Sequence, residues 1–136
     1  MVRYYLDSDV WICYMDETDA RHDEACTLFR KVLGDRGVIL VSRRHVMEMK
    51  STGYLNEFKL LRDGMWRIWE CVQVADEELD RQLALRHQEY FQVGFGDCLH
   101  LVLAMKNGAT ACSYDGHWHV VGRELGTRVC YPRDLL

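Results

Sequence analysis

The segment YYLDSDVW, residues 4–11, sets an apolar run directly against two carboxylates. Two tyrosines and a leucine lead into Asp7, and Asp9 follows two residues later. Asp and Ser are ordinary turn residues, so one reading is a strand closed by a polar turn. The other is a ligand site at the carboxyl end of the first strand of an α/β sheet, where such folds bind. The rest of the chain chooses between them.

Outward from this segment, apolar runs alternate with helical patterns. Strands are expected at VRYYL (2–6), GVILVS (37–42), WECVQVA (69–75), ATACSY (109–114) and TRVCY (127–131). A helix is expected from Thr18 or Asp19 to Leu33, with Ala25, Leu28, Phe29 and Val32 at helical spacing and Gly34 as its stop. A short helix runs through Glu48, and Leu55, Phe58, Leu61 and Met65 predict another over 54–67. Residues 76–91 read as a helix with Leu79, Leu83 and Tyr90 inward, and Asp97–Asn107 as a helix after the Gly94 and Gly96 break. Strands apolar throughout, joined by helices, specify a mostly parallel sheet covered on both faces.

Bulk properties narrow the function. The chain has 136 residues and no linker, repeat or low-complexity segment, which fits one domain over 1–136. A net charge of −4 gives no overall attraction for nucleic acid or a membrane surface. Any basic surface is local, with Arg43, Arg44 and Lys50, or Lys59, Arg62 and Arg67, as candidates. Six cysteines without a CxxC pair, and no signal peptide, are read as reduced thiols in a cytoplasmic protein. No apolar run approaches the ~20 residues of a membrane span.

Five acids fall near the carboxyl edge of the expected sheet. Asp7 closes the first strand and Asp9 follows it. Glu48 lies after the second strand in HVMEMK, Asp97 in GFGDCLHLVLAMKNG, and Asp115 after the fourth strand in CSYDGHW. Each has an ordinary use: turn residues for Asp7, Asp9 and Asp115, an i,i+4 pair with Arg44 for Glu48, a helix cap for Asp97. Together they would repel one another, which makes sense if divalent cations neutralise them. Hard oxygen ligands in this number suit Mg²⁺ or Mn²⁺, which can activate water against a phosphodiester.

These motifs resemble the PIN domain, the nuclease fold of VapC-type toxins from toxin–antitoxin pairs. YYLDSDVW matches its opening strand, VSRRHVMEMK its second motif, GFGDCLHLVLA its third and CSYDGHW its fourth. The resemblance spans nearly the whole chain and implies a three-layer α/β/α domain whose mostly parallel central sheet has about five strands. It implies that Asp7, Glu48, Asp97 and Asp115 hold Mg²⁺ or Mn²⁺, with Asp9 and Ser113 in support. Asp9 stands where the family usually has Asn. An RNA substrate, a cognate antitoxin and a homodimer follow as expectations.

Other residues fit blander roles. His117 and His119 form an HxH that reads as surface, and His100 as a satisfied core or site-edge residue. Trp66, Trp69 and Trp118 read as packing rather than base stacking, and segment 54–69 as a dimer face or antitoxin groove. Asp-x-Asp after a strand also resembles haloacid-dehalogenase-like phosphatases, with Ser42 as their second motif, but only Lys106 could supply their lysine. A response-regulator receiver would use Asp76, yet the fifth strand offers Arg128 and no lysine. A catalytically silent PIN-like module would have no use for clustered carboxylates.

Overall fold

The computed structural model describes residues 2–67 and 71–136. Strand β1 (Arg3–Leu6) leads into α1 (Ser8–Met15) and α2 (His22–Gly34), and β2 (Val38–Ser42) into α3 (Arg43–Thr52) and α4 (Leu55–Arg67). Next come β3 (Cys71–Val74), α5 (Glu78–Phe91), α6 (Phe95–Lys106), β4 (Thr110–Cys112), α7 (Gly116–Leu125) and β5 (Val129–Cys130). The strands form one sheet in the order β3-β2-β1-β4-β5, every pairing parallel. The three-layer expectation is met.

Strand alternation builds two cores from one sheet. Leu6, Ile39, Val41 and Cys112 face one side, where Val10 and Trp11 of α1, Leu28 and Phe29 of α2, Met49 of α3 and Phe58 of α4 pack. Trp11 anchors this layer, edge-on to Phe29 and Phe58 at 5.1 and 5.0 Å. Tyr5, Leu40 and Ala111 face the other side, against Ala84 of α5, Leu101 of α6 and Trp118 and Val121 of α7. Where α7 crosses β5 the layers meet closely: a Cβ at Gly122 would lie 2.3 Å from Val129 Cγ2. Gly122→Ala is therefore expected to lower stability by ~1–3 kcal/mol through overpacking, read as a lower Tm.

Three expectations are corrected. Residues 8–15 are a helix, α1, rather than a turn; Ser8, Val10, Trp11 and Cys13 are all buried, so no polar stripe announced it. On α5, Leu79 and Tyr90 are 73% and 79% exposed, and the inward positions are Asp80 and Ala84, with Leu83 and Phe91 partly buried beside them. Helix α6 starts at Phe95, so Asp97 lies inside its first turn and Gly94 is the cap. The strands are shorter than their apolar runs, and the side chain of Trp66 and all of Trp69 lie outside the described residues. All six cysteines are free, and among the described residues no helix is long and apolar enough to cross a membrane.

Candidate metal centre

The chain builds the sheet outward from β1 to β3, then returns to the other side of β1 with β4. The order reverses between β1 and β4, and ligands in open α/β sheets bind beyond the carboxyl ends of the strands at such a switch point. Asp7 is the first residue past β1 and Ser113 the first past β4. Ser113 Oγ donates to Asp7 Oδ2 at 2.6 Å. Asp7 occupies the N-cap position of α1 but its side chain makes no cap bond, so the ordinary turn role does not explain it. Its Oδ1 has no protein donor among the described residues.

Glu48 reaches the same point from α3, and His100 from α6. Ligand atoms of Asp7, Glu48 and His100 all lie within 4.8 Å of one another. Glu48 Oε1 accepts from Ser8 Oγ at 2.6 Å and is joined to His100 Nε2 at 2.8 Å, while Oε2 accepts from Arg44 Nε at 3.0 Å. The i,i+4 pair with Arg44 thus exists, alongside contacts from two further elements. His100 is fully buried, and its Nδ1 joins Tyr5 Oη at 2.6 Å. Tyr5 Oη joins Ser42 Oγ at 2.8 Å, and Ser42 N–H donates to His45 Nδ1 at 3.0 Å. A polar chain therefore runs under the site into the core.

Asp97 does not cap its helix; its Oδ1 accepts the indole N–H of Trp118 at 3.1 Å. Asp115 does cap α7, accepting from His117 N–H at 2.9 Å, so its ordinary role is realised. Asp9 lies in the first turn of α1, and its buried Oδ1 has no hydrogen-bond partner. His117 is largely exposed, and His119 stacks on Tyr131 at 3.9 Å between ring centres. The HxH does not converge with the acids as a three-residue ligand group among the described residues.

The electrostatics register the crowding. Burial raises the Asp7 carboxyl to about 8, and the charges of Asp9, Asp97 and Glu48 push the same way against the Ser113 hydrogen bond. Burial also raises Asp9 to about 6, with Asp115 adding to it and Arg21 opposing. Glu48 goes the other way: burial opposes ionisation, but His100, Ser8 and Arg44 outweigh it and hold the carboxyl at about 2. Burial lowers His45 to about 3, keeping it neutral. Asp7, with a free oxygen amid like charges, and Asp9, with an orphaned buried one, fit a cation-binding donor set.

No protein-family model matches the sequence, and no curated protein matches it. Solved structures do. VapBC2 from Rickettsia felis, bound to a DNA fragment from its promoter, superposes with a TM-score of 0.68 at 11% identity over 96% of this chain and 98% of that one. FitAcB from Neisseria gonorrhoeae gives 0.63 at 11% over 96% and 98%. VapC20 of Mycobacterium tuberculosis, a sarcin–ricin-loop-cleaving toxin, gives 0.61 at 17% over 88% and 95%. The fold is that of a VapC-type PIN domain.

The strand order and the place of Lys106 count against the two rival enzyme readings. A receiver has the strand order 2-1-3-4-5, not 3-2-1-4-5. The phosphatase reading needs a lysine beside the acids, but Lys106 sits at the far end of α6, bonded to Asp80 at 2.9 Å and paired with Glu77 at 3.6 Å. Sequence reasoning missed Tyr5 and His45 as parts of the site's support. His100 carried a signal, since it stands three residues after Asp97 and so on the same side of one helix.

Proposed function

We propose that the chain is a Mg²⁺- or Mn²⁺-dependent endoribonuclease that hydrolyses single-stranded RNA, the toxin of a toxin–antitoxin pair. The observation that carries this reading is Asp7: a buried carboxyl at the topological switch point, pushed up in pKa by burial and like charges, with one oxygen lacking a protein donor. The likeness of the fold to the VapBC, FitAB and VapC20 structures supports the toxin assignment. An antitoxin partner, a homodimer and a cytoplasmic location belong to the same reading.

In this reading Asp7, Glu48, Asp97 and Asp115 hold the metal, and Asp9 and Ser113 support them. Bound there, Mg²⁺ or Mn²⁺ would supply the Lewis acidity that activates water and stabilises the leaving oxygen of a phosphodiester. The chain's own contribution is preorganisation. Ser113 and Trp118 each fix one oxygen of Asp7 and Asp97 and leave the other oxygen clear of that bond. Ser8, His100 and Arg44 keep Glu48 ionised and aimed.

The test is cleavage of a labelled single-stranded RNA with Mg²⁺ or Mn²⁺, beside an EDTA control and a phosphomonoester substrate. Cutting that requires metal is the expected result. Turnover of the phosphomonoester without RNA cleavage would favour the phosphatase reading. Activity in neither assay would favour a silent PIN-like binding module.

A further inference from the structure

We propose that the cavity beside Glu48, between α3 and the α5–α6 pair, is a nucleotide subsite for single-stranded RNA. In it Arg44 takes a backbone phosphate next to the one cut, and Phe95 stacks the adjoining base. This rests on the nuclease reading and names where its substrate lies. The cavity measures about 340 Å³, and Arg43, Arg44, Met47 and Phe95 are in its wall. That volume is within the range of small-ligand pockets.

Arg44 carries the argument. Its Nε is tethered to Glu48 Oε2 at 3.0 Å, and neither terminal nitrogen has a protein acceptor among the described residues. The guanidinium lies against Gly96, where an added Cβ would come within 2.6 Å of Nη2 and 2.7 Å of Nε. The glycine one residue before Asp97 therefore leaves the space in which this guanidinium rests. Neutralising Glu48 alone would occupy Nε and would need no open cavity on the far side of the group. A planar fork held at one edge and open at the other suits a phosphate, which it can grip with two N–H groups.

The rest of the wall agrees. Arg43 is exposed and has no acidic partner among the described residues. Asp76, the carboxylate in the wall, is bonded by Arg81 at 2.8 Å, which removes its repulsion for an anion. Phe95 and the half-exposed Met47 supply an apolar face next to these cations. An aromatic ring beside guanidinium groups is the chemistry that holds single strands, because every base has a face to stack. A duplex could not splay a base into such a cavity.

The experiment is binding of a fluorescently labelled single-stranded 12-nucleotide RNA, by anisotropy against NaCl concentration. The Asp97→Asn chain serves as the non-cleaving parent. Adding Arg44→Gln is expected to weaken binding ~10-fold and to reduce the salt slope by about one phosphate. Adding Phe95→Ala should weaken it ~10-fold with the slope unchanged. Gly96→Ala keeps every charge and displaces only the flexible end of Arg44, so it should fold with an unaltered Tm and still weaken binding several-fold. Binding within twofold of the parent in all three would overturn the subsite while leaving the nuclease reading in place. A parent that binds no RNA, together with a wild-type chain that cuts none, would overturn both.

Discussion

In EDTA the Tm of this chain should fall by roughly 5–8 °C as pH rises from 6.5 to 8.5, and Asp7→Asn should remove most of that fall. The folded Asp7 carboxyl sits near 8 because burial and then the neighbouring Asp9 charge disfavour its ionised form. Its unfolded value is ~3.9. The folded state therefore holds the proton more tightly, and the stability this contributes is full below the unfolded value and lost as pH rises through 8. Over the upper part of that window the loss is ~2 kcal/mol, which sets the size of the Tm shift. Asp9, raised to about 6, contributes in the same direction but at lower pH.

Two other groups act with the opposite sign, which is why the window starts at 6.5. His45 is held near 3 by burial, so its stability is present above the unfolded histidine value of ~6.5 and lost as pH falls below it. Glu48, held near 2, loses its contribution only in strong acid. With Asp9 adding to Asp7 below pH 6 and His45 offsetting only one of the two, the maximum should lie in mild acid, about pH 4–5. Saturating Mg²⁺ or Mn²⁺ at pH 8 should restore the lost stability in the wild-type chain, by ~2.7 kcal/mol at 100 times Kd. The same addition should do much less in Asp7→Asn. A flat Tm from pH 6.5 to 8.5, or the same fall in Asp7→Asn, would remove the case for Asp7 as the centre of the site.

The layer architecture was legible because it depends on patterns of long range. Runs such as VILVS are apolar at every position because β2 is covered on both faces, and no helix of a half-exposed layer looks like that. The helix α1 was not legible for the converse reason: SDVWICYM is too short and too buried to show a stripe. On α5 the apolar Leu79 and Tyr90 point to solvent while Asp80 turns inward to Lys106. There a specific ion pair overrode the periodicity.

The acids of the candidate site were visible through their placement at strand ends and motif positions. Their geometry was not, because it depends on bonds between residues 40 to 106 positions apart, such as Ser8 to Glu48 and Ser113 to Asp7. Whether an acid's ordinary role excludes a second one also needed coordinates. Glu48 does pair with Arg44, as its spacing allowed, and still meets His100 and Ser8.

Asp97→Asn should reduce metal-dependent RNA cleavage by ~100-fold or more, while the Tm in EDTA stays level or rises slightly. Loss of a charged ligand to the metal is set at ~3 kcal/mol of transition-state stabilisation, and each 1.36 kcal/mol is a factor of ten. The fold should tolerate the change because Asp97 is not the cap of α6; Gly94 is. Its Oδ1 accepts from Trp118 Nε1, and an asparagine Oδ1 can accept the same bond. Removing its charge also relieves part of the repulsion on Asp7. Asp80→Asn is the matching control: that acid is buried and bonded to Lys106 at the far end of α6, so it should cost stability and leave cleavage intact. If Asp97→Asn cut at the wild-type rate, the metal-nuclease reading would be lost whatever the fold. If both variants lost cleavage in proportion to their Tm, the effect would be structural. Only loss of cleavage in Asp97→Asn at unchanged Tm separates the charge at this position from its place in the helix, and the geometry around Trp118 is what allows that separation.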